Sequence, residues 1–227
     1  MHAELLSESE LLLVIGDSIS PDNIGQLQQL EQALRQQAGS AIINSIPAYA
    51  SLLVRFNPLQ IQPQQFLQLA EHLLQQPVQA NATAMARLVE LPVCYHPDLA
   101  ADLHTAAQAC GISTAELAAL HSGQEYRVYA LGFAPGFAFA ASLDERLQLP
   151  RKPQAVNVSA GAVAIAGRQT AIYPQASPGG WHVIGHCPLP MFVAGNTPAA
   201  RLQPGDRLRF AAISLAQYHA LREASHG

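Results

Sequence analysis

Two short stretches of the chain combine glycine, proline and aromatic residues in a way that suits a ligand-binding loop: Gly132-Phe133-Ala134-Pro135-Gly136 and Ser177-Pro178-Gly179-Gly180-Trp181. Glycine admits positive φ and lets a ligand approach the main chain closely, while proline stiffens the same loop. A binding loop needs that access together with that rigidity, and a pair of tight barrel turns has the same composition. We expect the two stretches to line one shared pocket. Arg151, Gln169, Tyr173 and His182 stand in or beside the neighbouring motifs and carry donors or acceptors that could surround it. Arg151 and Lys152 are adjacent cations, and the guanidinium of Arg151 suits bidentate contact with a carboxylate or phosphate. Tyr173 and Trp181 could wall a small-molecule site, although aromatics in a small barrel usually fill its core.

Other chemistries fare less well. His182 and His186 are four apart, a spacing that puts both on one face of a regular strand. Asp144 and Glu145 are the only acids between Gly132 and Gly205, so no third ligand is evident and no metal site is expected. Cys187 beside His186 resembles a thiol–imidazole pair, but adjacent strand residues point to opposite faces. Cys94, Cys110 and Cys187 have no metal spacing, and their odd number argues against a disulfide framework. The sequence contains no Walker loop, no dinucleotide fingerprint after a strand and no Gly-x-Ser-x-Gly elbow, and no catalytic residue is assigned.

The formal net charge is −4 over 227 residues and Lys152 is the single lysine, which argues against nucleic acid as a ligand. Charged residues make up 12%, about half the usual share. Glutamines such as Gln26, Gln28, Gln29 and Gln32 supply polarity instead, a surface that leaves room for a protein partner. No apolar run approaches the ~18 residues of a membrane span. Met1-His2-Ala3-Glu4 lacks the basic start of a secretory signal, so the expected location is the cytoplasm, with no membrane contact.

The elements that must position these residues read as an α+β chain. Residues 11–15 form a buried strand. Ser20-Pro21-Asp22 opens a helix with Ile24, Leu27, Leu30 and Leu34 at helical spacing, closed by Gly39. Strands at 41–46 and 52–56 follow, then a helix from Pro63, then a strand at 88–95. That order, βαββαβ, is a ferredoxin-like split-βαβ domain over 1–96. A helical connector spans 97–123, broken at Gly111-Ile112-Ser113, with Ser113 or Thr114 as a cap. From 124 to 227 short β runs (126–131, 156–158, 162–165, 169–173, 182–184, 207–210) alternate with Gly/Pro turns, the pattern of a β-barrel.

Five ordered motifs carry a family resemblance: Gly132-Phe133-Ala134-Pro135-Gly136-Phe137, Leu149-Pro150-Arg151, Ala164 to Thr170, Ile172-Tyr173-Pro174, and Ser177 to Trp181 with Ile184-Gly185. Together they resemble the family of 5-oxoprolinase B components, which also contains the kinase inhibitor KipI and the first component of allophanate hydrolase. They are similar, too, to one half of the carboxyltransferase domain of urea carboxylase. The resemblance implies a C-terminal cyclophilin-like β-barrel and an obligate partner, the C component of 5-oxoprolinase, with the A component as a third member. It implies conversion of 5-oxoproline to glutamate with hydrolysis of ATP (with magnesium) by the complex, and no activity for this chain alone. A KipI-like inhibitor of a sensor histidine kinase, or a part of allophanate hydrolase, is the alternative. The chain departs from the family pattern at Ser159 and Ala162, where Pro-Ala-Gly-Ser is usual, at His186 and Cys187, where Arg-Thr-Pro is usual, and at Pro153-Gln154, where a second Pro-Arg pair is usual.

Overall fold

The computed structural model describes residues 1–18, 20–76 and 86–226. The chain forms two compact units, 1–85 and 86–227. Among the described residues no helix is long and apolar enough to cross a membrane.

In the first unit, β1 (His2–Ser7) and β2 (Glu10–Val14) form a hairpin, followed by α1 (Pro21–Ala38), β3 (Ile42–Ala48), β4 (Ser51–Phe56) and α2 (Pro63–Gln75). The antiparallel strands lie in the order β1-β2-β4-β3. α1 begins where the sequence implies: Asp22 N donates to Ser20 Oγ at 3.3 Å, and proline takes the first helical turn, where its missing N–H leaves nothing unpaired. Leu11, Leu13, Leu52, Val54 and Phe56 alternate along β2 and β4, so one face of the sheet carries all five against Leu27, Leu34, Phe66 and Ala70. Each such buried side chain contributes on the order of 1.5–3 kcal/mol.

The split βαβ half is present, with β2 and β3 joined through α1 and β4 between them. The strand at 88–95 is not its fourth member. β1 takes the edge beside β2, and a short turn at Glu8-Ser9 makes that pairing cheap in loop entropy. The expected boundary at 96 therefore moves back, because β5 (Leu88–Cys94) belongs to the second unit, where Leu91, Val93 and Cys94 are buried.

There β5 joins β6 (Glu125–Leu131), β7 (Ala138–Ala141), β9 (Ala162–Ala166), β10 (Gln169–Ile172), β12 (His182–His186) and β13 (Arg207–Ile213) in a closed barrel. The order is β6-β13-β5-β12-β9-β10-β7, and β7 pairs back onto β6. β5 and β13 run parallel in register from Leu88 opposite Arg207 to Cys94 opposite Ile213. β8 (Val156–Val158) and β11 (Ser177–Gly179) form a separate two-stranded ribbon. The expected connector is helical in two pieces, α3 (Leu103–Cys110) and α4 (Thr114–Ser122), split by Gly111 at φ 71° and capped by Ser113, whose hydroxyl accepts from Glu116 N at 3.1 Å. Leu103, Ala106, Ala107 and Leu117 of these helices share the barrel core with Val128, Ile165 and Phe210. A last helix, α5 (Leu215–His226), follows β13.

Two polar side chains sit inside the barrel with no exposure at all, His121 of α4 and Thr170 of β10. The histidine is the hub. The His121 ring stacks on Phe210 with centroids 4.5 Å apart. Thr170 Oγ1 donates to the Ala164 carbonyl at 3.2 Å, so its lone pair accepts from His121 Nε2–H at 2.8 Å. Nδ1 is then the acceptor for the Tyr95 hydroxyl at 2.7 Å, and the ring is a neutral Nε2–H tautomer. Burial lowers the His121 pKa from 6.5 to about 3. Between those values the unfolded chain binds a proton that the folded chain refuses, so stability is whole above 6.5 and declines as pH falls toward 3. At its steepest, one such group changes stability by ~1.4 kcal/mol per pH unit. In urea titrations across this acid range, the unfolding midpoint of the wild type should fall more steeply with acid than that of His121→Gln, which does not titrate. Parallel slopes would exclude His121 as the source.

Candidate functional site

The turn after β6 is built on two residues in the left-handed region. Phe133 has φ 69° and Gly136 φ 82°. Gly132 N donates to the Phe137 carbonyl at 3.1 Å and Phe137 N to the Ala134 carbonyl at 2.9 Å, which closes the turn on itself. This geometry sends two successive aromatics in different directions: Phe137 is buried, whereas Phe133 is 67% exposed. A phenylalanine at positive φ is strained by about 1 kcal/mol or more, so the surrounding contacts hold it there.

The second glycine-rich stretch comes to the same place. Tyr173, at the end of β10, packs edge-on against Phe137 with centroids 5.2 Å apart and lies 6.4 Å from Phe133. Phe137 also meets Trp181 edge-on at 5.9 Å. The backbone of Gly179 approaches the Tyr173 hydroxyl so closely that any side chain at 179 would collide with it. The Trp181 amide donates to that hydroxyl, and burial raises the Tyr173 pKa despite the nearby charge of Arg151. Ser177 Oγ, on the short β11 strand opposite Val158, is buried with no hydrogen-bond partner among the described residues.

Of the polar residues expected around the pocket, Arg151 is at hand: it is exposed beside Gly180 and its charge reaches Tyr173. Lys152 is engaged elsewhere, donating to Asp102 Oδ2 at 2.6 Å while its amide donates to the Gly180 carbonyl at 2.7 Å. Asp102 also accepts from Val183 N at 2.7 Å, so this ion pair pins the glycine-rich loop against β12. His182 Nε2 lies 2.9 Å from the Pro150 carbonyl, to which it donates, and straps the segment carrying Arg151. Gln169 is set apart. It sits opposite Ala141 and Ala166 at the far end of β10, roughly 13 Å along the strand from Tyr173.

His182 and His186 do not share a face. β12 carries a bulge between Val183 and Gly185, so their partners on β9 are Ile165 and Ala162, an odd separation that turns the two rings to opposite sides. His186 points to a cavity of about 200 Å³ beside α5, lined in part by Gly161, Tyr173, His186, Pro190, Met191 and Tyr218. Its Nε2 is 3.3 Å from Ser159 Oγ, and its Nδ1 is 3.0 Å from the Tyr218 hydroxyl and 3.2 Å from the Cys187 carbonyl. Burial lowers the His186 pKa. Two positions where the sequence departs from the family pattern, Ser159 and His186, thus touch each other. Cys187 is buried, and desolvation pushes its thiol up to about 11, which keeps it protonated and unreactive. Among the described residues no three histidine, cysteine or acidic side chains come together to hold a metal.

Tyr218 and Arg222 of α5, which complete this cavity, were not legible as site residues. The signal that could have found them is their four-residue spacing on one helix face. The cavity and the aromatic cluster adjoin: Tyr173 belongs to both, and the Met191 carbonyl lies against Gly136. A Cβ at Gly136 would fall 2.9 Å from that carbonyl and 2.8 Å from Phe192 Cβ, at a φ that disfavours any side chain. Gly136→Ala should lower stability by more than ~1 kcal/mol, read as a drop in thermal midpoint, and should disorder Phe133. An unchanged midpoint would show that the turn tolerates an ordinary residue.

The carboxyltransferase domain, subdomain C and D, family model matches residues 1–202. The chain is 34% identical to the 5-oxoprolinase B component of Bacillus subtilis over 98% of this chain and 97% of that protein. Among solved structures it is similar to TTHA0988, at a TM-score of 0.78 and 35% identity over 92% of this chain and 40% of that one, so it spans about two fifths of that longer chain. The urea amidolyase of K. lactis shares the fold at a TM-score of 0.73 and 16% identity, over 96% of this chain and 15% of that one. On the strength of the matched domain and the near full-length similarity, the chain belongs to the carboxyltransferase subdomain C and D family, within the group of 5-oxoprolinase B components.

Proposed function

We propose that this chain is the B component of a cytoplasmic, ATP-dependent 5-oxoprolinase that opens 5-oxo-L-proline to L-glutamate together with the A and C components. The observation that carries the reading is the 34% identity to a protein named as a 5-oxoprolinase B component across 98% of the chain. We read the first unit as a variant of the ferredoxin-like arrangement, with β1 at the edge, and the barrel as cyclophilin-like. Phe133 is exposed over the buried rings of Phe137 and Tyr173, an apolar surface that suits a small ring. Gly132, Pro135, Pro178, Gly179 and Gly180 shape the two loops that meet there, and Arg151 supplies a cation beside Gly180.

ATP, with magnesium, belongs in this reading to the complex as a whole, and this chain's part is to bind and orient the lactam. Phe133, exposed and held at positive φ, is suited to a partner surface. No specific observation favours the kinase-inhibitor or allophanate hydrolase alternatives.

Purified chain should show no 5-oxoproline-dependent ATP turnover alone and should gain it when co-expressed with the A and C components. In the complex, Trp181→Ala and Tyr173→Phe should each lower turnover by roughly tenfold or more. Turnover by the isolated chain would remove the shared-site reading, and failure to co-purify with the C component would remove the partner.

A further inference from the structure

We propose that Arg151 binds the carboxylate of the lactam substrate and sets the preference for an acidic ring over a neutral one. This role rests on the function proposed above and adds to it which end of the substrate this chain holds. Arg151 and Arg168 are the arginines whose side chains make no hydrogen bond or ion pair among the described residues. The others are bonded to carboxylates, to carbonyl oxygens or, for Arg222, to the Tyr218 hydroxyl. Arg168 stands at the turn between β9 and β10, at the end of β10 away from Tyr173. Lys152, next to Arg151 in the chain, is neutralised by Asp102 at 2.6 Å. Tyr173 feels the charge of Arg151 but keeps its proton, because burial raises its pKa. One guanidinium charge is therefore left uncompensated beside Gly180.

An anchor must be placed as well as charged. The segment from Leu149 to Lys152 is bonded on both sides of Arg151: Gly167 N donates to the Leu149 carbonyl at 2.6 Å, His182 Nε2 to the Pro150 carbonyl at 2.9 Å, and Lys152 N to the Gly180 carbonyl at 2.7 Å. Pro150 adds a fixed φ. Leu149 is buried and Lys152 half-buried, whereas Arg151 between them is exposed. Gly180 leaves room beside it, since a Cβ there would lie 4.0 Å from Arg151 Cβ and 3.6 Å from the Lys152 carbonyl. Tyr173 joins this cation to the apolar surface. Its hydroxyl end lies against Gly179, and its ring centroid is 6.4 Å from that of the exposed Phe133. A small ring resting on Phe133 thus has Arg151 at the other end of Tyr173. The guanidinium fork matches the two oxygens of a carboxylate. A polyphosphate would bring several charges to a place that offers one, with apolar rings beside it.

Opening the lactam leaves the carboxylate as it was. A contact to it is equally strong in the ground state and the transition state, so it acts on KM rather than kcat. Exposed ion pairs are modest, which sets the expected effect at about tenfold rather than the hundredfold or more of a buried anchor. The test uses the complex assembled with the A and C components, with 5-oxoproline and its neutral amide, 5-oxoprolinamide, as alternative substrates. Wild type should favour the acid over the amide in kcat/KM by roughly tenfold. Arg151→Gln should raise KM for the acid by about that factor, keep kcat and the KM for ATP, and erase the preference. Arg151→Lys restores the charge without the fork and should recover part of the loss. Arg168→Gln should change none of these quantities. All three variants should co-purify with the complex at the wild-type thermal midpoint. The role is overturned if Arg151→Gln keeps the preference, if Arg151→Lys recovers nothing, or if Arg168→Gln erodes the preference equally, which would show a general surface field. A rise in the KM for ATP in place of that for 5-oxoproline would mark a phosphate contact and overturn it too. A wild-type complex without any turnover of 5-oxoproline would instead overturn the function itself, and this role with it.

Discussion

The second unit depends on a histidine that burial holds neutral at ordinary pH. His121 reaches from α4 to Thr170 on β10 and to Tyr95 just beyond β5, so a single ring ties a helix to two well-separated parts of the barrel wall. A buried donor or acceptor left without its partner costs about 1–3 kcal/mol, and here the Tyr95 and Thr170 hydroxyls are joined through the one imidazole. Tyr126 adds a fourth link through its hydroxyl, which donates to the His121 carbonyl at 2.8 Å. The apolar core around these groups gives the barrel its cohesion, and the network fixes which way α4 must face.

A wall made stiff in this way can hold strained turns at its rim. Phe133 and Gly136 both lie at positive φ, and Gly161 and Gly179 let neighbouring backbone and rings approach to contact that no side chain would allow. The Lys152–Asp102 pair has side chains only 15% and 20% exposed, and with the amide of Val183 it fixes the second loop from beneath. What results is a cluster of rings that meet edge-to-face, the arrangement that ring quadrupoles prefer, with Phe133 exposed above it. Flexibility is not needed to bring the two glycine-rich stretches together, because they are already adjacent.

Much of this was legible in the sequence, where a local rule decides the outcome. Ser20, Pro21, Ser113 and Gly111 mark helix ends through capping chemistry, which depends on near neighbours alone. Short β-type runs separated by Gly/Pro turns announced the barrel. What escaped depends on distant pairing or on breaks in period. Leu88–Cys94 reads equally well as a strand of either unit, and only its partner, Arg207–Ile213, decides the matter. The bulge in β12 cancels the four-residue rule for His182 and His186, and nothing in Val183-Ile184-Gly185 advertises it beyond a glycine. Ser159, His186 and Tyr218 are far apart in the chain and weakly marked, so their meeting is a property of the fold.

The parallel pairing of β5 with β13 bears on how the chain is made. All strands and helices of the first unit precede β5, so that unit can fold while the rest is still on the ribosome. β5 emerges next and waits: Leu88 has no parallel partner until Arg207 has been synthesised, and Leu91 and Val93 stay uncovered in the meantime. A nascent chain stalled or cut before β13 would carry a finished first unit and an apolar strand with an open edge, the kind of segment that chaperones hold and that aggregates without them.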